Sequence, residues 1–148
     1  MATVASVYTI SPFVRTPQQI INPKESQNLK RPRPEGKRVW ASLVKQPEEV
    51  IREAFDEALH RDPNQQKLFC ALVDGNKTQL AILKKLAGKH SINLTIVLDI
   101  IHVIEYLWKA AFSFHSPTSK QAEDWVSQRL VRILEGKSSW VASGKYQG

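Results

Sequence analysis

The sequence predicts an α/β fold, because short apolar runs alternate with stretches of helical periodicity through its middle. Two of these runs, residues 68–73 and 94–98, are almost continuously apolar, which is typical of strands buried on both faces of a parallel sheet. Each run ends directly on an aspartate, Asp74 or Asp99. Ligands of parallel sheets bind at the carboxyl ends of the strands, so these aspartates mark a candidate site.

The N-terminal part contains two β-like segments separated by a proline-rich stretch. Residues 1–10 are rich in valine, threonine and isoleucine, and residues 39–43 form a second, shorter β-like run. Five of the eight prolines lie within residues 11–38. Proline removes a backbone donor and fixes φ, so we predict a Pro-rich basic loop or extended arm over residues 11–45, interrupted only by that short run.

Four helices are predicted after this loop. The first begins at Pro47, with glutamates in its first turn, and ends near His60. The second covers about residues 76–87, with Gly88 as its predicted C-terminal cap. The remaining two cover residues 100–114 and a stretch that begins near Ser116 or Thr118 and ends before Gly136. The alternation predicts an α/β core with right-handed crossovers, followed by the start of an all-helical addition.

Composition excludes several classes of protein. No apolar run approaches the roughly 18 residues of a membrane span, and no basic-then-apolar signal peptide opens the sequence. The single cysteine, Cys70, rules out an internal disulfide framework and is expected to be a small core residue. Neither a glycine-rich phosphate loop nor a serine nucleophile elbow is present. We therefore expect a cytoplasmic protein with no membrane partner.

Positive charge is concentrated in the first third of the chain and suggests DNA as a partner. The net charge is +7, and residues 1–45 carry eight Lys or Arg against two glutamates. A stretch of this kind fits a polyanion, although charged runs are more often plain solvated surface. Trp40 lies beside this stretch and could pack in the core or stack on a base. The candidate DNA-binding residues are Lys30, Arg31, Arg33, Lys37 and Arg38.

The residues that follow the two apolar runs have both a structural and a functional interpretation. Asp74 could cap the next helix, with Gly75 relieving the turn, or it could be a metal carboxylate. Asp99, His102 and Glu105 recur at three-residue spacing, which would place them along one edge of a helix. They could bind a metal or orient a ligand, or they could be a capping aspartate beside a half-buried histidine. The residues alone leave both interpretations open.

The sequence resembles the ISKra family of insertion-sequence transposases. The resemblance lies in residues 37–43 (KRVWASL), 72–75 (LVDG) and above all 97–111 (VLDIIHVIEYLWKAA), with further likeness at residues 1–9 and 125–137. It covers essentially the whole chain. It implies a DDE-class enzyme with an RNase H-like core, in which three carboxylates hold two Mg²⁺ ions that activate water or a 3′-hydroxyl for attack on DNA.

The resemblance also implies roles for individual residues. Asp74 corresponds to the second metal carboxylate, and hence to a catalytic and metal residue, while Asp99 and His102 correspond to a supporting element that Glu105 follows. Residues 1–102 would then be a partial RNase H-like core, and residues 103–148 the start of its helical insertion. The first aspartate of the family would precede Met1 and its final glutamate would follow Gly148.

The leading hypothesis is therefore an internal transposase fragment that is inactive alone and holds Mg²⁺ weakly or not at all. An alternative is a non-catalytic DNA-binding or dimerising remnant that modulates a full-length transposase. A third is a small metal-dependent nuclease that uses Asp74, Asp99, His102 and Glu105. A first strand without its hairpin partner would leave an open edge, so self-association into a homo-oligomer is also expected.

Overall fold

The computed structural model describes residues 2–144 and divides them into two compact units. Residues 2–12 and 32–99 form the first unit, and residues 13–31 and 100–144 form the second. The elements in chain order are β1 (Thr3–Thr9), α1 (Pro17–Ile21), α2 (Pro23–Ser26), β2 (Glu35–Ser42), α3 (Pro47–Arg61), β3 (Phe69–Val73), α4 (Lys77–Lys89), β4 (Leu94–Leu98), α5 (Ile100–Ala111), α6 (Lys120–Leu134) and α7 (Ser138–Ala142). The mixed α/β class predicted from the sequence is confirmed.

The strands of the first unit form two separate two-stranded sheets. β1 and β2 pair antiparallel, with Val4 opposite Ala41 and Val7 opposite Arg38. β3 and β4 pair parallel and in register, so that Val73 lies opposite Leu98. Within the described chain no strand joins the two sheets, and each strand is paired along one edge only.

One helical layer supports the sheets of the first unit. α3 begins at Pro47, where a missing N–H costs nothing, and the Gln46 N–H donates to the Glu49 carboxylate at 2.9 Å. The core is built from Phe55 of α3 and Leu83 and Leu86 of α4, which pack against the inward residues of β3 and β4. The helix predicted from Pro47 therefore supplies one side of this core.

The parallel strands are covered on one face only, which differs from the sequence expectation of burial on both. Phe69, Ala71 and Val73 pack on the core. The alternate side chains point away from it: Leu72 is 61% exposed, and Cys70 is exposed rather than in the core. The difference arises because α3 and α4 both pack against the same inward side chains. An apolar run shows that a strand is hydrophobic, but it does not show whether other elements cover one face of the strand or both.

The second unit is helical. Leu107 and Ala111 of α5 pack against Ala122, Val126 and Leu130 of α6. The two alanines are fully buried, which lets the helix backbones approach closely.

A buried cation–π pair lies within this helical unit. The Arg129 guanidinium lies 3.5 Å from the centroid of the Trp125 ring, and Arg129 Nη1 donates to the Trp125 carbonyl at 3.1 Å. Burial, together with nearby Arg132, lowers the pKa of Arg129.

The segment predicted as a long proline-rich loop contains two short helices. Pro17 and Pro23 each occupy a first helical turn, where proline is favoured, and Thr16 and Asn22 cap the two helices with their side chains. Ile21 packs against the core of the second unit. Residues 13–31 are therefore part of the helical unit rather than a free arm. The predicted division into residues 1–102 and 103–148 instead places residues 13–31 with the sheets. Part of the predicted tail, residues 145–148, lies outside the described residues.

None of the helices within residues 2–144 combines the length and the apolar character that crossing a membrane requires.

Candidate functional site

Asp74 and Asp99 follow neighbouring parallel strands at the same edge of a sheet. Since Val73 and Leu98 are partners in the register, the two aspartates occupy the next position on each strand. The Asp99 N–H donates to the Val73 carbonyl at 2.7 Å, which adds one hydrogen bond to the pairing of β3 with β4. The backbone thus brings together the two aspartates that the sequence analysis singled out in the first unit.

Asp74 is held in a tight turn that leads into α4. Its Oδ1 accepts the backbone N–H of Asn76 at 2.9 Å. Asn76, and not Asp74, is the N-cap of α4, because its side-chain oxygen accepts the N–H groups of Thr78 and Gln79 at 2.9 and 3.2 Å. The alternative in which Asp74 itself caps α4 is therefore wrong, because Asp74 bonds to the capping residue instead. Asp74 itself is exposed at the sheet edge.

His102 and Glu105 lie together on α5, in the second unit. His102 Nδ1 is 3.3 Å from a carboxylate oxygen of Glu105, and both side chains are about half exposed, at 41% and 53%. The three-residue spacing does place these two side chains on one edge of the helix, as predicted. Asp99 belongs to the first unit and stands at the end of β4.

The side chains at the sheet edge are of the type that binds magnesium. Mg²⁺ takes hard oxygen ligands and often only one or two protein carboxylates, and Asp74 and Asp99 supply donors of that type. Among residues 2–144 no group of three or more His, Cys, Asp or Glu side chains is arranged to hold a metal ion. That Asp74 or Asp99 holds Mg²⁺ therefore stays a prediction.

The five candidate DNA-binding residues are all exposed, but they are divided between the units. Lys30 and Arg31 belong to the second unit, and Arg33 lies in the first, just before β2. Lys37 and Arg38 lie on β2 itself. The stretch from Lys30 to Arg38 therefore includes the point at which the chain passes from one unit to the other.

Arg38 is engaged by protein groups that the sequence analysis did not identify. It forms an ion pair with Glu57 of α3, which also accepts from Arg61 Nε at 2.7 Å. Its guanidinium lies 5.3 Å from the centroid of the Trp40 ring, and Trp40 Nε1 donates to Glu53 at 3.2 Å. Trp40 thus packs beneath Arg38. The four-residue spacing of Glu53, Glu57 and Arg61 was the available signal, since it sets them on one helix face.

Glu57 links stability to pH in this cluster. Hydrogen bonds from Arg61 and Arg38 hold the pKa of Glu57 below its ordinary value of 4.5. A lowered folded-state pKa means that Glu57 stabilises the fold above about pH 4.5, and that this stabilisation is lost as pH falls through the folded-state pKa.

We expect Glu57→Gln to lower stability at neutral pH and to flatten its dependence on pH in acid. Urea unfolding of the wild type and the variant at neutral pH, and again at a pH below 4.5, measures the difference. The difference in the free energy of unfolding between the wild type and the variant should be smaller at the lower pH. Asp56→Gln on the same helix serves as the control. A gap that stays constant or widens in acid would contradict this linkage.

No family model, no curated protein and no solved structure matches this chain.

Proposed function

We propose that this chain is part of the RNase H-like core of an insertion-sequence transposase of the DDE class, with Asp74 as one of its metal carboxylates. The observation that carries the proposal is the pair of in-register parallel strands that end side by side on Asp74 and Asp99. The sequence resemblance to ISKra transposases supports it independently, because it assigns the second catalytic carboxylate to Asp74.

The order of the elements in the first unit supports the same proposal. An antiparallel hairpin, β1–β2, is followed by α3, β3, α4 and β4, with β3 and β4 parallel. The resemblance places a further strand, bearing the first aspartate, beside β1. That strand would pair with the edge of β1 that β2 does not occupy.

In this proposal residues 1–148 contribute DNA contacts and one metal carboxylate, and they do not cleave DNA by themselves. Contacts come from the exposed Arg33 and Lys37, with Arg38 partly engaged by Glu57. The alternative of a non-catalytic remnant that binds DNA or modulates a full-length transposase is favoured by one observation. The described strands leave open edges, and open edges are sites where another chain can pair.

We expect the purified chain to bind duplex DNA with a steep dependence on salt, and to produce no nicks with Mg²⁺ or Mn²⁺. Replacing Arg33 and Lys37 with glutamine should reduce the slope of log K against log salt by about 0.9 for each phosphate that is no longer neutralised. The control replaces Lys45 and Lys120, which form ion pairs with Glu53 and with Glu123 and Asp124. Nicking that disappears in Asp74→Asn would contradict inactivity, and a salt-independent signal would contradict DNA binding.

The genomic sequence around the coding region tests the transposase assignment itself. An in-frame strand with an aspartate upstream, and a helix with a glutamate downstream, would support it. Neighbouring genes of unrelated function, with neither feature on either side, would overturn the assignment.

A further inference from the structure

The outer face of α4 is a second basic surface, outside the segment of residues 30–38 that is predicted to bind DNA. α4 carries four lysines, Lys77, Lys84, Lys85 and Lys89, all of which are exposed. No acidic residue occurs between Asp74 and Asp99. α3 is very different, because its basic residues alternate with Glu48, Glu49, Glu53, Asp56 and Glu57.

Three of these lysines have no carboxylate partner within the described part of the chain. Lys85 pairs with Glu48 at 2.9 Å, whereas no ion pair is formed there by Lys77, Lys84 or Lys89. A lysine that has no carboxylate partner can neutralise a DNA phosphate and so release the cations that are condensed on the DNA. Their charge is therefore available for binding.

The spacing of the lysines suits a phosphate backbone. Lys77 and Lys84 are two turns apart on nearly the same line of the helix, about 10.5 Å along its axis at 1.5 Å per residue. Lys89 lies five residues further on and about 140° around the helix from Lys84, at the other border of the exposed face. B-DNA presents a phosphate about every 3.4 Å along each strand, so the distance between Lys77 and Lys84 corresponds to about three of them. Ala81 and Gly88 lie between the lysines, and the space above Gly88 is open.

The same face lacks the large exposed apolar side chains that a membrane surface or a protein partner would require. Its exposed uncharged residues are small or polar (Thr78, Ala81 and Gly88). Of the large apolar residues of α4, Leu83 and Leu86 are buried in the core, and Leu80 and Ile82 are half-buried. A helix that binds a membrane surface inserts large apolar side chains, and a protein interface needs a buried apolar or aromatic anchor. This face offers neither.

We propose that the outer face of α4 contacts the phosphate backbone of duplex DNA through Lys77, Lys84 and Lys89. The inference rests on the proposed function for the class of partner, and it adds a contact surface that the basic stretch at residues 30–38 does not include. Because only phosphates are contacted, the binding is independent of base sequence.

The test compares two triple variants of the full chain on a short duplex of arbitrary sequence. Lys77→Gln, Lys84→Gln and Lys89→Gln together should lower the salt slope by between about 2 and 3, at about 0.9 for each phosphate that a lysine no longer neutralises. The matched control carries Lys45→Gln, Lys120→Gln and Lys137→Gln, which remove the same charge from lysines that already pair with carboxylates. Its slope should change by less than about 0.9, the value of a single neutralised phosphate.

A single substitution tests the face with all its lysines in place. Ala81→Glu puts a carboxylate within reach of Lys77, Lys84 and Lys85, and should weaken duplex binding severalfold at low salt. Ala81→Gln has nearly the same shape and helix preference without the charge, and should bind like the wild type. Equal thermal unfolding of the two variants shows that the difference does not come from the fold.

The outcomes separate this inference from the proposed function. If the wild type binds duplex DNA but the α4 triple variant and Ala81→Glu behave like their controls, the inference about α4 fails alone. If the wild type shows no salt-dependent binding of duplex DNA, both fail. Binding to phosphatidylserine vesicles that is lost in the α4 variant, without duplex binding, would reassign the face to a membrane surface and overturn the inference.

Discussion

Replacing Leu86 with alanine is expected to lower the free energy of unfolding of the first unit by about 2–5 kcal/mol. Leu86 is 4% exposed and packs in the cluster formed by Phe55, Leu83, Ala87 and Ile92. The substitution removes buried methyl groups and leaves a cavity that the paired strands and helices can fill only in part. The hydrophobic core of this unit is small, so the loss is a large share of its stability.

The matched control is the same chemical change on the surface. Leu68 is 92% exposed, and Leu68→Ala should change stability by less than about 0.5 kcal/mol. Amide hydrogen exchange along α4 and β3, followed with urea unfolding, reports the first unit separately from the helices of the second. Similar losses for the two variants would show that Leu86 does not lie in a packed core.

The sequence predicts the elements of the middle of the chain well, because their signals are local. The predicted start of α3 at Pro47 is confirmed, since proline and the acidic first turn act within a few residues. The order of β3, α4 and β4 is confirmed for the same reason. The placement of Asp74 and Asp99 at the sheet edge follows from their position directly after the strands, whereas their role as metal ligands stays a prediction.

The end of α4 shows how a local signal can mislead. Gly88 is the cap that the sequence predicts, but the helix continues to Lys89 and Ser91 adopts the left-handed conformation, with φ of 52°. The Ile92 N–H donates to the Ala87 carbonyl at 2.9 Å, and Ile92 is buried in the core. Burial of Ile92 compensates for a non-glycine residue in this conformation, and that gain is visible only once the core is assembled.

The division into two units depends on contacts that are distant in sequence. Ile21 packs with the helices that follow residue 99, and nothing in the proline-rich segment itself indicates that partner. In the same way, the spacing of apolar residues within each element does not show that α3 and α4 cover one face of the β3–β4 pair and leave Leu72 exposed. Pairing among distant elements decides these features, whereas sequence patterns describe each element alone.

Replacing Gly75 with alanine is expected to destabilise the first unit by about 1–3 kcal/mol and to disturb the turn that holds Asp74. Gly75 has φ of +91°, which side-chain-bearing residues rarely adopt, and an added Cβ would lie 3.1 Å from Leu98 Cδ1. Leu98 is 48% exposed, so its terminal methyl can move aside at small cost. The backbone conformation, rather than the contact, therefore dominates the expected loss.

The other glycine of this region gives a control of opposite sign. Gly88 lies inside α4, where an added Cβ meets nothing within 4 Å. Gly88→Ala should therefore stabilise the helix by about 0.5–1 kcal/mol, because the unfolded chain loses conformational freedom. Measuring Gly75→Ala again in a Leu98→Ala background separates the two causes, since removal of the Leu98 methyl groups should restore little of the loss. Full recovery in that background would show that the Leu98 contact, and not the left-handed backbone before Asn76, sets the geometry around Asp74.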